Sequence, residues 1–369
     1  MNQVEKLLST FCPNGVPAVK IDHLIDYEQP TKYLVASKTY NDVFSTPVLT
    51  AGQTFLLGYT NEEHGKYPAS PESPVIIFDD FTTAYKWVDF EFKVKSSAMK
   101  MLTVKPGAQI SLRYFWYALS TIRIDTSEHA RYWISKFSNI EIQIPPMEIQ
   151  QEIVRILDKF TELEVELQAE LEARRLQSLH FKNSLLKNQS YPRTKLGEVV
   201  EILDHLRKPV SRDKREAGLF PYYGANGIQG YVKNFIFDGT FLLMGEDGSV
   251  INPDKSPILN WAQGRIWVNN HAHVLKEKKS HALLRFIYYA LQTTDVSRIV
   301  RGMPPKINQG SMRAIEIPLP NLQRQHFVIE VLDSFNELEA QITTELNERR
   351  LQYEYYRSKL LTFKDLDVA

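Results

Sequence analysis

At 369 residues the chain is long enough for two domains, and its 43% apolar content, with 19 Phe, 18 Tyr and 5 Trp, supplies two packed cores. Cys12 is the only cysteine, which excludes an internal disulfide and a multi-cysteine zinc site and fits a reducing compartment. The 44 Lys+Arg balance 44 Asp+Glu, no apolar run approaches the roughly 18 to 20 residues of a membrane span, and Met1–Pro13 lacks a signal-peptide core of sufficient length, so a soluble, cytoplasmic chain with no membrane partner is expected.

Residues 1–143 read as a first globular part. Strand-like runs lie at Thr54–Gly58, Val75–Asp80 and Trp87–Val94, and a helix is expected around Ser111–Leu119. This part carries 14 Lys+Arg against 15 Asp+Glu, so any surface for a polyanion must be confined to one face. Its candidates for nucleic-acid contact are Lys38, Tyr40, Lys100, Arg131 and Lys136.

Residues 144–187 follow as a long helix opened by Pro145-Pro146. Ile149, Ile153, Ile156, Phe160, Leu163, Leu167 and Leu171 recur in steps of three and four, a heptad seam with no Gly or Pro to interrupt it. The helix spans about forty residues, or roughly 60 Å at 1.5 Å per residue.

Residues 188–318 form a second globular part, with strands at Phe241–Gly245 and Arg265–Val268, tight turns within Tyr222–Tyr231 and a helix near Leu283–Gln292. It carries 18 Lys+Arg against 12 Asp+Glu. Arg207, Lys208, Arg212, Tyr222, Tyr223, Asn226, Arg301, Lys306 and Asn308 sit in its turn-rich segments. Arg and Lys reach phosphates or guanine edges, and Asn pairs with adenine, so the set favours DNA over an ordinary solvated loop surface. Residues 319–369 then repeat the long helix, with a seam at Val328, Val331, Phe335, Leu338, Ile342 and Leu346.

The two helices are copies. At an offset of 175 residues, 19 of 47 positions are identical between Ile140–Leu186 and Ile315–Leu361, including Ile-Glu-Ile, Leu-Asp-x-Phe and Arg-Arg-Leu-Gln. The globular parts between them match poorly. A chain that keeps two spacers alike while two globular parts diverge reads as a scaffold presenting two different readers. Pairing of the copies within one chain, antiparallel and pseudo-two-fold symmetric, would make the helices a ruler; an intermolecular coiled coil is the alternative. On the helices Gln150, Asp158, Glu162, Arg174, Arg175, Gln325, Asp333, Glu337, Arg349 and Arg350 are candidate protein-partner contacts.

Catalytic constellations are sparse. No P-loop, no dinucleotide fingerprint and no Asn/Asp-Pro-Pro-aromatic methyl-transfer motif occurs. Pro253-Asp254 followed by Glu277-Lys278-Lys279 fits a loose Mg²⁺-nuclease pattern, and His271 with His273 could face one metal from a strand, with no third ligand evident. No metal site is assigned.

Ile317-Pro318-Leu319-Pro320 with Gln325, the Leu-Asp-x-Phe of both helices, and Arg174-Arg175-Leu176 with Arg349-Arg350-Leu351 resemble the specificity subunits of type I restriction-modification systems, over essentially the whole chain. Tyr222–Ile228 and Asn270–Leu275 look like their target recognition domains, and Phe78–Thr82 like a different type of such domain. One departure is Gln143-Ile144-Pro145, where the second copy has Pro318-Leu319-Pro320; no functional consequence is expected. The resemblance implies an α+β chain with target recognition domains at 1–143 and 188–318 and spacer helices at 144–187 and 319–369. It implies a non-catalytic reader of double-stranded DNA that docks two methyltransferase subunits, and restriction subunits in the full complex. S-adenosylmethionine, ATP and Mg²⁺ would belong to those partners, with no cofactor in this chain. A coiled-coil scaffold with two protein-binding domains is the alternative, and an autonomous nuclease a third.

Overall fold

The computed structural model describes residues 3–52, 54–124, 131–188, 190–278 and 282–366. The chain divides into two units: residues 1–166 with 346–369, and residues 167–345. The long helices, Met147–Leu186 and Leu322–Leu360, each contribute one part to either unit. The expected domain limits therefore differ from the packing units, because the ends of each helix are built into the cores they adjoin.

In unit 1 the chain enters and leaves its globular part through one antiparallel pair, Ala18–Lys20 with Glu141–Gln143. Between them lie two sheets. One runs in the order Ile25–Glu28, Met99–Val104, Val75–Asp79, Tyr85–Val88, all antiparallel. The other runs Leu56–Thr60, Thr46–Leu49, Lys93–Val94, the last pair parallel. Val75, Ile76, Ile77 and Phe78 are all fully buried. Ile76 and Phe78 join one core cluster while Val75 and Ile77 join another, so the central strand is covered on both faces, which is why its sequence is a continuous apolar run. The expected strand Trp87–Val94 is broken in two. Its first half pairs in the four-stranded sheet, Phe92 then bridges to Tyr67, and Lys93-Val94 join the other sheet.

Unit 2 repeats the entry pair as Arg193–Lys195 with Glu316–Pro318. Its sheet has six strands in the order Val200–Ile202, Ala272–Glu277, Phe237–Gly245, Leu259–Val268, Ala217–Gly224, Gly227–Val232. The central strand is again two-faced, with Leu242 and Met244 in one cluster and Phe241 and Leu243 in the other. The Tyr222–Tyr231 stretch proves to be a hairpin, and Gly227, at φ +97°, closes its two-residue Ala225-Asn226 turn.

The long helices do more than face each other. Ile149, Ile153 and Leu157 are fully buried in the unit 1 core together with Leu360 from the end of the second helix. Val328 and Leu332 do the same in unit 2 with Leu185 and Leu186. Further along, the helices pair antiparallel within each unit: Phe160 stacks on Tyr356 and Arg350 meets Glu164 at 2.8 Å in unit 1. In unit 2 Phe181 packs on Phe335, and Arg175 lies 3.8 Å from Glu339. The pairing is intramolecular, and the first turns of each seam belong to a domain core.

Candidate nucleic-acid interface

In unit 2 the loop Arg301–Lys306 stands exposed, with Met303 at 99%. Its ends close on themselves, Arg301 N–H donating to Lys306 O at 2.9 Å and Lys306 N–H to Arg301 O at 2.7 Å. The turn after strand Phe237–Gly245 anchors it: Gly248 N–H donates to Pro305 O and Ile307 N–H to Glu246 O. Beneath the loop lies a charged network. Glu246 meets Arg207 at 2.6 Å and Lys306 at 3.4 Å, and the fully buried His273 lies 2.6 Å from Asp204.

A second surface lies along the sheet edge. Leu219, Tyr231 and Ile228 are exposed on the edge hairpin, Asn226 is exposed at its turn, and a cleft of about 160 Å³ is lined by Lys214, Arg215, Lys233, Asn234 and Trp267. Lys208, Arg212 and Lys214 are exposed there and carry no ion pair among the described residues. Aromatic and apolar side chains beside unpaired cations suit stacking and phosphate contact.

Unit 1 builds its loops differently. Glu62 accepts the N–H groups of Ala36 and Ser37, both at 2.9 Å, and pairs with Lys93 at 2.9 Å. The Ser37 N–H is the largest of the influences that hold the Glu62 carboxyl below its usual range, with Lys93 and Ala36 adding to it against burial. This fixes the base of the loop that carries exposed Lys38. Tyr40 packs against Gly58, whose φ of +147° and a hypothetical Cβ only 2.8 Å from Tyr40 Cβ leave room for glycine alone.

A family model for the type I restriction modification DNA specificity domain matches the chain twice, at residues 15–173 and 190–348. The starts 15 and 190 differ by 175, the offset of the internal repeat. Over 399 aligned positions the chain is 36% identical to the EcoR124I/EcoR124II specificity subunit of Escherichia coli, covering 98% of this chain and 97% of that one. The chain belongs to the type I restriction-modification DNA specificity family. A putative type I restriction enzyme specificity subunit of Haemophilus influenzae, S.HindORF215P, is 36% identical over 198 residues, 51% of this chain and 50% of that one. In fold, the crystal structure of the type I restriction-modification S subunit from M. genitalium aligns with TM-score 0.68 at 17% identity, over 95% of this chain and 96% of that one. Members of this family are specificity components and not the catalytic ones.

Several residues expected at the specificity chain's DNA surface are structural. Lys100 is 1% exposed and lies 3.3 Å from Asp80 with its ammonium over the Tyr27 ring, so it cannot reach a phosphate. Arg207 is held by Glu246 and the Ala272 carbonyl. Tyr222 is buried, its hydroxyl bonded to the Val210 backbone and its ring under Arg215 at 4.0 Å. Tyr223 is also buried. Asn308 caps the helix Gln309–Arg313 by accepting from Ser311 N–H at 2.8 Å, and this local role accounts for an Asn at that position. Lys38, Arg131, Lys136, Lys208, Arg212, Asn226, Arg301 and Lys306 are exposed, and Tyr40 is half-buried.

Four of the helix candidates also turn inward. Gln150 is fully buried, accepting from Ser111 N–H and donating to Pro145 O and Gln109 O; Gln325 accepts from Leu283 N–H and donates to Pro320 O. Asp158 binds Arg113 at 2.7 Å and Tyr117 at 2.6 Å, and Asp333 binds Arg285 at 2.6 Å and the Tyr289 hydroxyl. All four tie a globular part to its own helix. Arg175 and Arg350 join the two helices, whereas Glu162, Arg174, Glu337 and Arg349 bond along their own helix, with Glu162 and Glu337 exposed.

The partners Arg113 and Arg285 were not singled out from the sequence, although a signal was present. Leu112–Leu119 and Leu284–Leu291 read LRYFWYAL and LRFIYYAL, a second internal repeat displaced by 172 residues and hence invisible at an ungapped offset of 175. Each guanidinium lies on aromatic rings, Arg113 on Trp87, Trp116 and Tyr117, and Arg285 on Trp261, Tyr288 and Tyr289.

The nuclease-like residues are engaged locally. Asp254 accepts from the Ser256 N–H and hydroxyl, and Glu277 from Leu284 N–H; Lys279 lies outside the described residues. His271 pairs with Asp247 near the surface while His273 is buried against Asp204, so the two histidines face different partners. Asp204, Glu246 and His273 approach closely enough to hold a metal. Arg207 and Lys306 already neutralise Glu246, so the cluster reads as an ion-pair network.

Proposed function

We propose that the two units each read one half of a bipartite, asymmetric site on double-stranded DNA, as the specificity component of a type I restriction-modification complex. The observation that carries this reading is the contrast between a repeated frame and divergent loops. Clamps from Gln150 and Asp158 recur at Gln325 and Asp333, while the segments between them differ in sheet order and in exposed side chains. Equal frames suit two copies of one partner, and unequal readers suit two different half-sites.

Two methyltransferase subunits are the proposed partners, joined by restriction subunits in a full complex. S-adenosylmethionine, with ATP and Mg²⁺ for restriction, would be bound by those subunits. No helix among the described residues is long and apolar enough to cross a membrane, and a cytoplasmic site of action is part of the proposal. Half-sites about one helical turn apart, roughly 10 bp centre to centre, place both readings on one side of the duplex. Selection of bound sequences from random DNA by the full chain with its methyltransferase tests the reading. Two dissimilar half-sites flanking an unread gap are expected; one continuous motif, or a perfect palindrome, would overturn it.

A further inference from the structure

The network beneath the Arg301–Lys306 loop is more constrained than packing requires. His273 is fully buried, and its Nε2 lies 2.9 Å from the Ile307 carbonyl, which can only accept, so Nε2 carries a proton. Nδ1 faces Asp204 at 2.6 Å. Burial alone would raise the Asp204 carboxyl, yet the His273 contact, the Val274 N–H and the Gln309 amide together hold it below its usual range. The two ring nitrogens thus bridge the Asp204 carboxylate and the Ile307 carbonyl. The bridge joins the turn Asp204–Leu206, the strand Ala272–Glu277 and the residue that closes the loop. Glu246 supplies the other side, its side chain taking Arg207 and Lys306 and its carbonyl taking Ile307 N–H at 2.8 Å.

Burying these charges is costly, and well-packed apolar residues would serve stability as well or better. What the charges add is direction, since each hydrogen bond fixes where one atom of the loop base sits. At the repeat's offset of 175 residues Lys306 corresponds to Arg131, and unit 1 fixes the segment that begins there by other chemistry. There Asp80 accepts from Trp133 N–H at 2.8 Å through its carboxylate and from Tyr132 N–H at 2.8 Å through its carbonyl, and Lys100 pairs with the same carboxylate.

We propose that His273, with Asp204 and Glu246, is a positioning residue that sets how the Arg301–Lys306 loop meets the bases of one half-site. The inference rests on the proposed DNA-reading role and specifies which loop of unit 2 reads and what aims it. The residues of the network touch no base; they act through the loop.

The test is a competition-binding panel on the full chain, with every base of both half-sites substituted in turn, run well below the melting temperature and paired with melting curves. His273→Gln retains reach toward one acceptor and loses the bridge. It is expected to flatten discrimination about tenfold at positions of one half-site, the order of a single mismatch, and to leave the other half-site and non-specific affinity unchanged. Gln309→Ala, which removes only one donor to Asp204, should loosen the same positions to a lesser degree; it decides the matter if His273→Gln does not fold. Unchanged discrimination in Gln309→Ala and in folded His273→Gln overturns the inference, as does equal flattening of both half-sites. A wild-type chain that discriminates at no position would defeat the DNA-reading role itself, and this inference with it.

Discussion

The segment beginning at Arg131 in unit 1 and the segment beginning at Lys306 in unit 2 stand at the same place in the repeat, yet they are held by different chemistry. Unit 1 uses one buried pair, Lys100 and Asp80, 1% and 2% exposed at the side chain. Unit 2 uses five charged or ionisable groups, Asp204, Arg207, Glu246, His273 and Lys306. The clamps to the long helices, by contrast, use the same residue types in both units: Gln to a backbone N–H and a proline carbonyl, and Asp to an Arg and a Tyr hydroxyl. The sheet order and the loop anchors, which lie between the entry pair and the helix clamp, differ between the units. On the proposed function, the recurring clamps are the part that would dock one kind of partner twice, and the segments between them the part that would face different bases.

The largest effect should come from the unit 1 brace. Lys100→Met leaves Asp80 charged and buried without a counter-ion, and a loss of about 3–5 kcal/mol is expected by chemical denaturation. A neutral outcome would mean that the pair is not closed in solution. Next come Leu157→Ala and Leu332→Ala, each expected to cost about 2–5 kcal/mol through cavity formation. Near-equal losses in the two would confirm that the frame is energetically as well as geometrically duplicated, and a large inequality would break the comparison.

Gln150→Ala and Gln325→Ala each strand a part-buried N–H and a buried proline carbonyl, and Gln150→Ala the Gln109 carbonyl as well, at about 1–3 kcal/mol per site. If these glutamines instead served a protein partner, complex formation would fall while the melting temperature of the chain held. Asn308→Ala should cost about 1 kcal/mol through loss of the cap and leave base preference intact, which a half-site substitution panel checks. Smallest in effect, Lys208→Ala should weaken DNA binding evenly across sequences and reduce the salt dependence by about one phosphate contact. Binding isotherms at several salt concentrations would show a changed base preference if Lys208 read sequence.

Much of the frame was legible because its signals are local or repeated. The heptad spacing, the opening prolines and the 175-residue offset gave both helices, observed at 40 and 39 residues. The family resemblance carried on the same motifs agrees with the doubled family match. The Arg113 and Arg285 clamps escaped because a three-residue shift hid the second repeat. Within the readers, residue type alone misassigned Lys100, Arg207 and Tyr222: a lysine that pairs with a buried carboxylate and one that meets a phosphate look the same in a sequence.

The sequence by itself determined the duplication, the two long helices and the family, since helical periodicity and repeated motifs are written along the chain within a few turns. Only the tertiary structure decided which polar side chains face outward. His273 finds Asp204 across 69 residues, Arg113 finds Asp158 across 45, and Gln325 finds Leu283 across 42. Whether a charge is buried depends on whether such a distant partner arrives to replace the water it loses, and that is set by the packing of the whole domain.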